Sequence, residues 1–253
     1  MLGDEASIEA IGIDDLHAWR LGQYRAGSLH LVAAGKVVHE ELVALAERHF
    51  ADLPTGTIDE PAPARFTGGA RVGRTSAEQA HLALAWPAPA QLAPDYFAAR
   101  FFSDIVGGGM SSRLFQQVRE ERGLAYSVYS QLQPYSDAGL FYIYAATARR
   151  ESAAAAQLIE DVLADAAHTI TPRELERVRT QARAGLLMSI ESPWGQAHYL
   201  ARQLALFGRL VEPAELLAEL GAVTLDQVRA AGAAMLAGPR ARATIGFPAV
   251  RAA

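Results

Sequence analysis

A chain of 253 residues, 51% of them apolar, is long enough for one large or two modest domains with true cores. Its net charge of −5 argues against nucleic acid as a main partner, and the lack of cysteine excludes a disulfide framework and thiolate chemistry. No run of about eighteen apolar residues offers a membrane span, and no basic segment followed by an apolar one opens the chain as a leader would. The compartment stays open; Ala and Arg richness hints at a bacterial source, and then cytoplasm or periplasm.

Ile13 to Tyr24 reads as an amphipathic helix, with Leu16, Trp19 and Leu21 on its apolar side. Asp14 and Asp15 stand near its N-terminus, where the helix dipole favours them. Ser28 to Ala34 reads as a buried strand broken by Gly35. His39 to Phe50 reads as a second helix with Leu42, Leu45, Ala46 and Phe50 inward. Asp52 to Gly69 carries Pro54, Pro61, Pro63 and three glycines without periodicity, the composition of a linker.

Ala70 to Thr75 and Gln79 to Pro87 read as strands. In the second, His81, Ala83 and Ala85 alternate with Leu82, Leu84 and Trp86, and His81 is expected to be satisfied by a neighbour. Pro94 to Val106 reads as a helix whose stripe of Tyr96, Phe97, Phe101, Ile105 and Val106 is core. Next comes GGGMSSRLFQQVREERGLAYSVYS, Gly107 to Ser130. A glycine loop leads to Ser111 and Ser112 at an expected N-cap, and a helix runs from about Ser112 to Arg122. Gly123 is a natural C′ residue. Leu124 to Leu132 then alternates as a strand, with Leu124, Tyr126, Val128 and Leu132 on one face. This order is expected to bring Arg119 close to Tyr126. The glycines fit neither GxGxxG nor GxxxxGK[ST], so a phosphate cradle is disfavoured.

Pro134 to Gly139 reads as a turn, and Leu140 to Thr147 as a strand paired back on the previous one. The remainder is mostly helical. Glu151 to His168 is followed by Thr171, Pro172 and Glu174, a capping box with Pro at the first helical position. That helix ends before Pro193; Trp194 to Phe207 and Pro213 to Leu220 follow. Thr224 and Gln227 form a second capping pattern before a helix ending near Gly238, and Arg242 to Phe247 closes the chain as a strand. With no βαβ rhythm, the fold class is α+β, helices packed on a largely antiparallel sheet.

No zinc site can be assembled locally. A zinc centre on one helix needs two imidazoles a turn apart, a third ligand and an open position. His39 has Leu42 and Val43 where HxxEH requires Glu and His, and Val43 also defeats HExxH. His49, His81, His168 and His198 have no second histidine three to five residues away.

The Gly107 to Ser130 segment closely resembles the signature of the second homologous domain of the pitrilysin/insulinase-type (inverzincin) zinc metallopeptidases. LGDEASIEAIGIDDLHAWRLGQYRAGSLHLVAAGKVVHEELVALAERHFADLP, Leu2 to Pro54, resembles the last third of the family's first domain, and Gln79 through Pro248 follows the order of its second. The resemblance implies a truncated first domain at 1–54, a linker at 55–69 and a complete, inactive, substrate-positioning second domain at 70–253. Both would be α/β sandwiches of the LuxS/peptidase-like metalloenzyme type. Family members bind zinc through HxxEH and a distant glutamate, the HxxEH glutamate serving as general base. Those ligands would lie upstream of Met1. The resemblance therefore leaves no metal ligand, catalytic residue or cofactor to this chain itself, zinc belonging to the full family site.

In that family the second domain supplies an Arg and a Tyr seven residues apart to the substrate, and Arg119 and Tyr126 match in type and spacing. A guanidinium and a phenol are donors suited to a scissile carbonyl whose oxygen gains charge. Taken alone, Arg119 reads as a solvated helix charge and Tyr126 as a half-buried strand aromatic, while Ser111 and Ser112 read as caps, not nucleophiles. The resemblance also implies a substrate lying as an extended strand along a sheet edge. The expected function is the peptide-binding portion of a zinc metalloendopeptidase, inactive alone, with peptide substrate and an HxxEH-bearing subunit or a second copy as partners. Two alternatives stand beside it: a non-catalytic assembly subunit like the family's core proteins in respiratory complexes, and a gene fragment without function.

Overall fold

The computed structural model describes residues 3–58, 61–74, 76 and 78–247. Two compact units divide the chain: Met1–Ala62 with Ser189–Leu210, and Pro63–Met188 with Val211–Ala253.

The first unit is helical. A short helix α1 (Glu5–Glu9) is capped reciprocally by Asp4 and Ser7. It is followed by α2 (Ile13–Gln23) and α3 (His39–Phe50). A later segment, Pro193–Phe207, belongs to the same unit; Ser192 caps it by accepting from Gly195 N. The strand expected at Ser28 to Ala34 is not formed. A 3-10 turn (Ala26–Ser28) opens it, and the residues beyond run irregularly with Leu29 and Leu31 nearly half exposed. Among the described residues no neighbouring strand takes up that backbone, and an apolar run without one gains nothing from extending. Leu45 and Phe50, expected inward, are exposed as well, because no further layer of this unit, among the described residues, covers α3.

The second unit is a two-layer sandwich. Its strands are β1 (Gly69–Gly73), β2 (Gln79–Ala88), β3 (Ser127–Pro134), β4 (Gly139–Ala148) and β5 (Ala241–Ile245). They form one sheet in the order β1-β5-β2-β4-β3. The β1–β5 pair is parallel; the other pairs are antiparallel. Of the strand expected at Ala70 to Thr75, Thr75 lies outside the described residues. The helices are α4 (Tyr96–Gly107), α5 (Ser152–Thr169), α6 (Pro172–Ser189), α7 (the Pro193–Phe207 segment of the first unit), α8 (Pro213–Ala222) and α9 (Leu225–Ala237).

Strict alternation decides which sheet face is covered. Leu82, Leu84 and Trp86 of β2 and Phe141, Ile143 and Ala145 of β4 are buried against the helical layer. From that layer Phe101, Phe102 and Ile105 of α4 and Ile159 of α5 complete the core with no exposed surface. Each such side chain contributes about 1.5–3 kcal/mol by leaving water. Helix α9 comes so close to α4 that a Cβ on Gly232 would stand 2.2 Å from the Phe102 ring. Both expected capping boxes are formed, Thr171 with Glu174 and Thr224 with Gln227. The class is α+β, as the sequence indicates.

Candidate functional site

β3 is an edge strand: β4 pairs with it on one side only. Along its other side runs a groove of about 520 Å³. One wall is β3 from Ser127 to Leu132; the other is built from Tyr96, Arg100 and Asp104 of α4, the Gly107–Met110 corner, Phe115 and Arg119. In an edge strand alternate N–H and C=O groups point away from the paired neighbour, and β3 residues Ser127 to Leu132 line this groove.

The glycine run is what lets the walls meet. A Cβ on Gly107 would lie 2.3 Å from Ser130 N, and one on Gly108 would lie 2.6 Å from Asp104 Cα, whereas Gly109 has nothing within 4 Å. None of the three has a positive φ, so the demand is for close approach and not for a left-handed turn. Ser130 Oγ donates to Ser103 O at 2.7 Å across the same contact. α4 is thereby seated on β3.

The helix that follows departs from expectation in two ways. Phe115–Glu121 is a π-helix, a rare form that recurs at functional sites. Neither serine hydroxyl caps it. Ser112 O accepts from Gln116 N, but Ser112 Oγ is buried without a hydrogen bond. Gly123, at φ +61°, ends the helix in the left-handed conformation. Gly123 N donates to Arg119 O and Leu124 N to Val118 O. Leu124 to Tyr126 are spent on leaving the helix, so β3 starts at Ser127 and not at Leu124.

The guanidinium of Arg119 lies 4.6 Å from the centre of the Phe115 ring and 3.8 Å from Glu120 Oε1, with 44% of the side chain exposed. It lines the groove. Tyr126 is 63% exposed and its N–H donates to Ala146 O. It precedes the groove-lining Ser127 by one residue but is not itself among the lining residues, and it is more exposed than the half-buried strand aromatic its sequence alone reads as.

Arg113, which sequence reasoning did not single out, anchors this corner. Its Nε and Nη2 donate to the two carboxylate oxygens of Glu174 at 2.7 and 2.8 Å. Nη1 reaches Asp165 and Thr169, and Nη2 also reaches Thr169 O. Burial pushes the Glu174 carboxyl up, but hydrogen bonds from Arg113 and Thr171 together with the Arg113 charge outweigh it and hold the group at about 2. The partners are 61 residues apart, so no local spacing announces them. The available signal was Glu174 itself, already visible as a capping residue.

On the sheet face away from the helices, His81 Nδ1 lies 2.8 Å from Tyr144 Oη. Tyr129 packs against Tyr144 and Tyr142, and Tyr142 donates to Gln131 Oε1. His81 is thus satisfied by a strand neighbour. Among the described residues no group of three or more His, Cys, Asp or Glu side chains converges as a metal centre requires, so a zinc ion does not fit the donors present there. Nor is any helix among them long and apolar enough to cross a membrane.

The model of the family described as the peptidase M16 inactive domain matches residues 10–182. A zinc protease of Rickettsia bellii is 34% identical over 218 residues, covering 86% of this chain and 53% of its own length. One of Mycobacterium tuberculosis is 31% identical over 253 residues, covering 97% and 58%. The crystal structure of a peptidase M16 inactive domain from Pseudomonas fluorescens superposes with a TM-score of 0.80 at 26% identity, over 99% of this chain and 61% of that one. A chain of the Candida albicans complex III2 shares the fold, with a TM-score of 0.80 at 19% identity, over 96% of this chain and 61% of that one. The chain belongs to the peptidase M16 inactive-domain family. It spans about half the length of the curated relatives it matches.

Proposed function

We propose that this chain is the peptide-holding portion of a zinc metalloendopeptidase. In this reading an extended peptide adds to the open edge of β3, and Arg119 and Tyr126 hold its carbonyl side. The observation that carries the reading is the groove itself, which runs along an unpaired strand edge and has Arg119 in its wall. Backbone pairing at such an edge gives affinity without demanding one sequence. Arg119 keeps much of its surface free for a ligand, and the Tyr126 side chain is more exposed still.

Cleavage requires an HxxEH-bearing segment, supplied by a partner subunit or by a region joined to this one. The relatives named zinc proteases extend well beyond the matched part, which is 53% and 58% of their length, and the first unit leaves Ile13, Leu16 and Trp19 more than half exposed. Such apolar surface is what a complementary piece covers. The domain limits we propose are 1–54, 55–69 and 70–253, with α7 an excursion of the second domain's chain into the first unit.

The test is a labelled extended peptide titrated against the chain and its Arg119→Ala variant. A loss of affinity of about tenfold is expected; equal affinity removes Arg119 from the role. Cleavage is then assayed with an HxxEH-bearing M16 chain added, and its absence in every pairing would defeat the peptidase half of the proposal.

A further inference from the structure

The groove beside β3 carries charge that the holding of a carbonyl does not use. Tyr96, Arg100 and Asp104 follow at four-residue steps on α4 and share one face, about 6 Å apart along the axis. Arg100 Nε stands 3.7 Å from Asp104 Oδ2, beyond hydrogen-bond reach. The two side chains are 40% and 37% exposed. Arg100 makes no hydrogen bond among the described residues, so its donors are available.

Counting the charges decides the sign. Arg177 also acts on Asp104, and Glu120 lies beside Arg119. Of the charged side chains that line the groove itself, two are guanidiniums, Arg100 and Arg119, and one is a carboxylate, Asp104; Arg177 and Glu120 lie outside the lining and offset one another in sign. Burial, moreover, pushes the Asp104 carboxyl up against the pull of Arg100 and Arg177, which weakens it as a counter-charge. A strand added to β3 turns alternate side chains toward the helical layer. Arg100 and Arg119 both line that wall without a hydrogen-bonded partner among the described residues, and since the reading above gives Arg119 to the peptide carbonyl, Arg100 is the cation left for a side chain.

We propose that Arg100 forms a side-chain subsite that selects an acidic residue, Asp or Glu, in an extended peptide bound along β3. The inference rests on the peptide-holding reading above and names its substrate class. A guanidinium offers a planar fork of donors that matches a carboxylate. A lysine at the same place would meet Arg100 and Arg119 and find only Asp104, which Arg100 and Arg177 already attract.

The experiment uses fluorescein-labelled peptides of otherwise uncharged sequence, each with a single Glu, Gln or Lys moved stepwise along the chain, read by fluorescence anisotropy. At its best position the Glu peptide is expected to bind about three- to fivefold tighter than the Gln peptide, the range of a partly exposed ion pair. Added salt should erase the difference. Arg100→Gln should abolish the preference, read as the ratio of Glu- to Gln-peptide affinity within the same variant, and Arg100→Lys should keep only part of it. Equal binding of Glu and Gln peptides at every position, a preference for Lys, or a Glu preference that survives Arg100→Gln overturns the subsite alone. Failure of all peptides to bind defeats the peptide-holding reading, and the subsite with it.

Discussion

Arg113 and Glu174 are joined by two parallel hydrogen bonds, Nε to Oε1 at 2.7 Å and Nη2 to Oε2 at 2.8 Å. The pair ties the turn before the π-helix to the start of α6, where Glu174 also receives Thr171 N and Oγ1. Glu174 is held at about 2, down from 4.5. A carboxyl depressed in the folded state stabilises fully above its unfolded value, and the contribution is lost as pH falls through the window from about 4.5 to about 2. The shift corresponds to about 3 kcal/mol, which solvent screening at this partly exposed carboxyl reduces to about 1–2 kcal/mol. Urea unfolding of the chain should weaken across that window, and Glu174→Gln should lose most of that pH dependence.

Gly107 and Gly109 look alike in sequence and should behave differently. Gly107→Ala places a methyl 2.3 Å from Ser130 N, and the resulting separation of α4 from β3 should cost about 1–3 kcal/mol. Gly109→Ala meets open space and should stay within about 0.5 kcal/mol of the parent. Thermal unfolding of the two variants side by side checks both.

At Gly123 the cost is in the backbone alone. Its φ is +61°, and a methyl group placed there would meet nothing within 4 Å. Gly123→Ala should therefore destabilise by about 1–2 kcal/mol, measurable by denaturant midpoint, with no change in core packing.

Tyr126→Phe removes one hydroxyl from an exposed ring and should leave the unfolding midpoint unchanged. If the phenol supports charge growing on a scissile carbonyl, cleavage in the presence of an HxxEH-bearing partner should fall by about a hundredfold. Unchanged turnover would take the hydroxyl out of the chemistry.

The long helices of the second unit and its strands are legible in the sequence because several local signals agree there. Thr171, Pro172 and Glu174 mark a start by capping chemistry, and β2 alternates without a break. The irregular Ser28 to Ala34 stretch is not legible, because an apolar run states only that burial would help and not whether a neighbour exists to provide it. The π-helix is hidden for another reason: Phe115 to Glu121 has ordinary helical composition, and the wider turn is set by how its ends are fixed. The Arg119-to-Tyr126 spacing is visible in the sequence, whereas the groove is not. It depends on Gly107 touching Ser130, far along the chain, and on Arg100 and Asp104 sharing a face that reads as ordinary surface.

The widened turn at Phe115–Glu121 makes the aim of Arg119 a matter of counting. Removing one residue between Gly109 and Phe115 or within the turn lets an ordinary α-helix form between the same two anchors. With the anchors held, the closing turn takes up the missing residue, and the residues inside it, Arg119 among them, change their bearing by part of the about 100° that one α-helical residue spans. A deletion of that kind would leave Arg119 in the chain and still turn its guanidinium away from its wall, so length in this segment should prove less forgiving than identity.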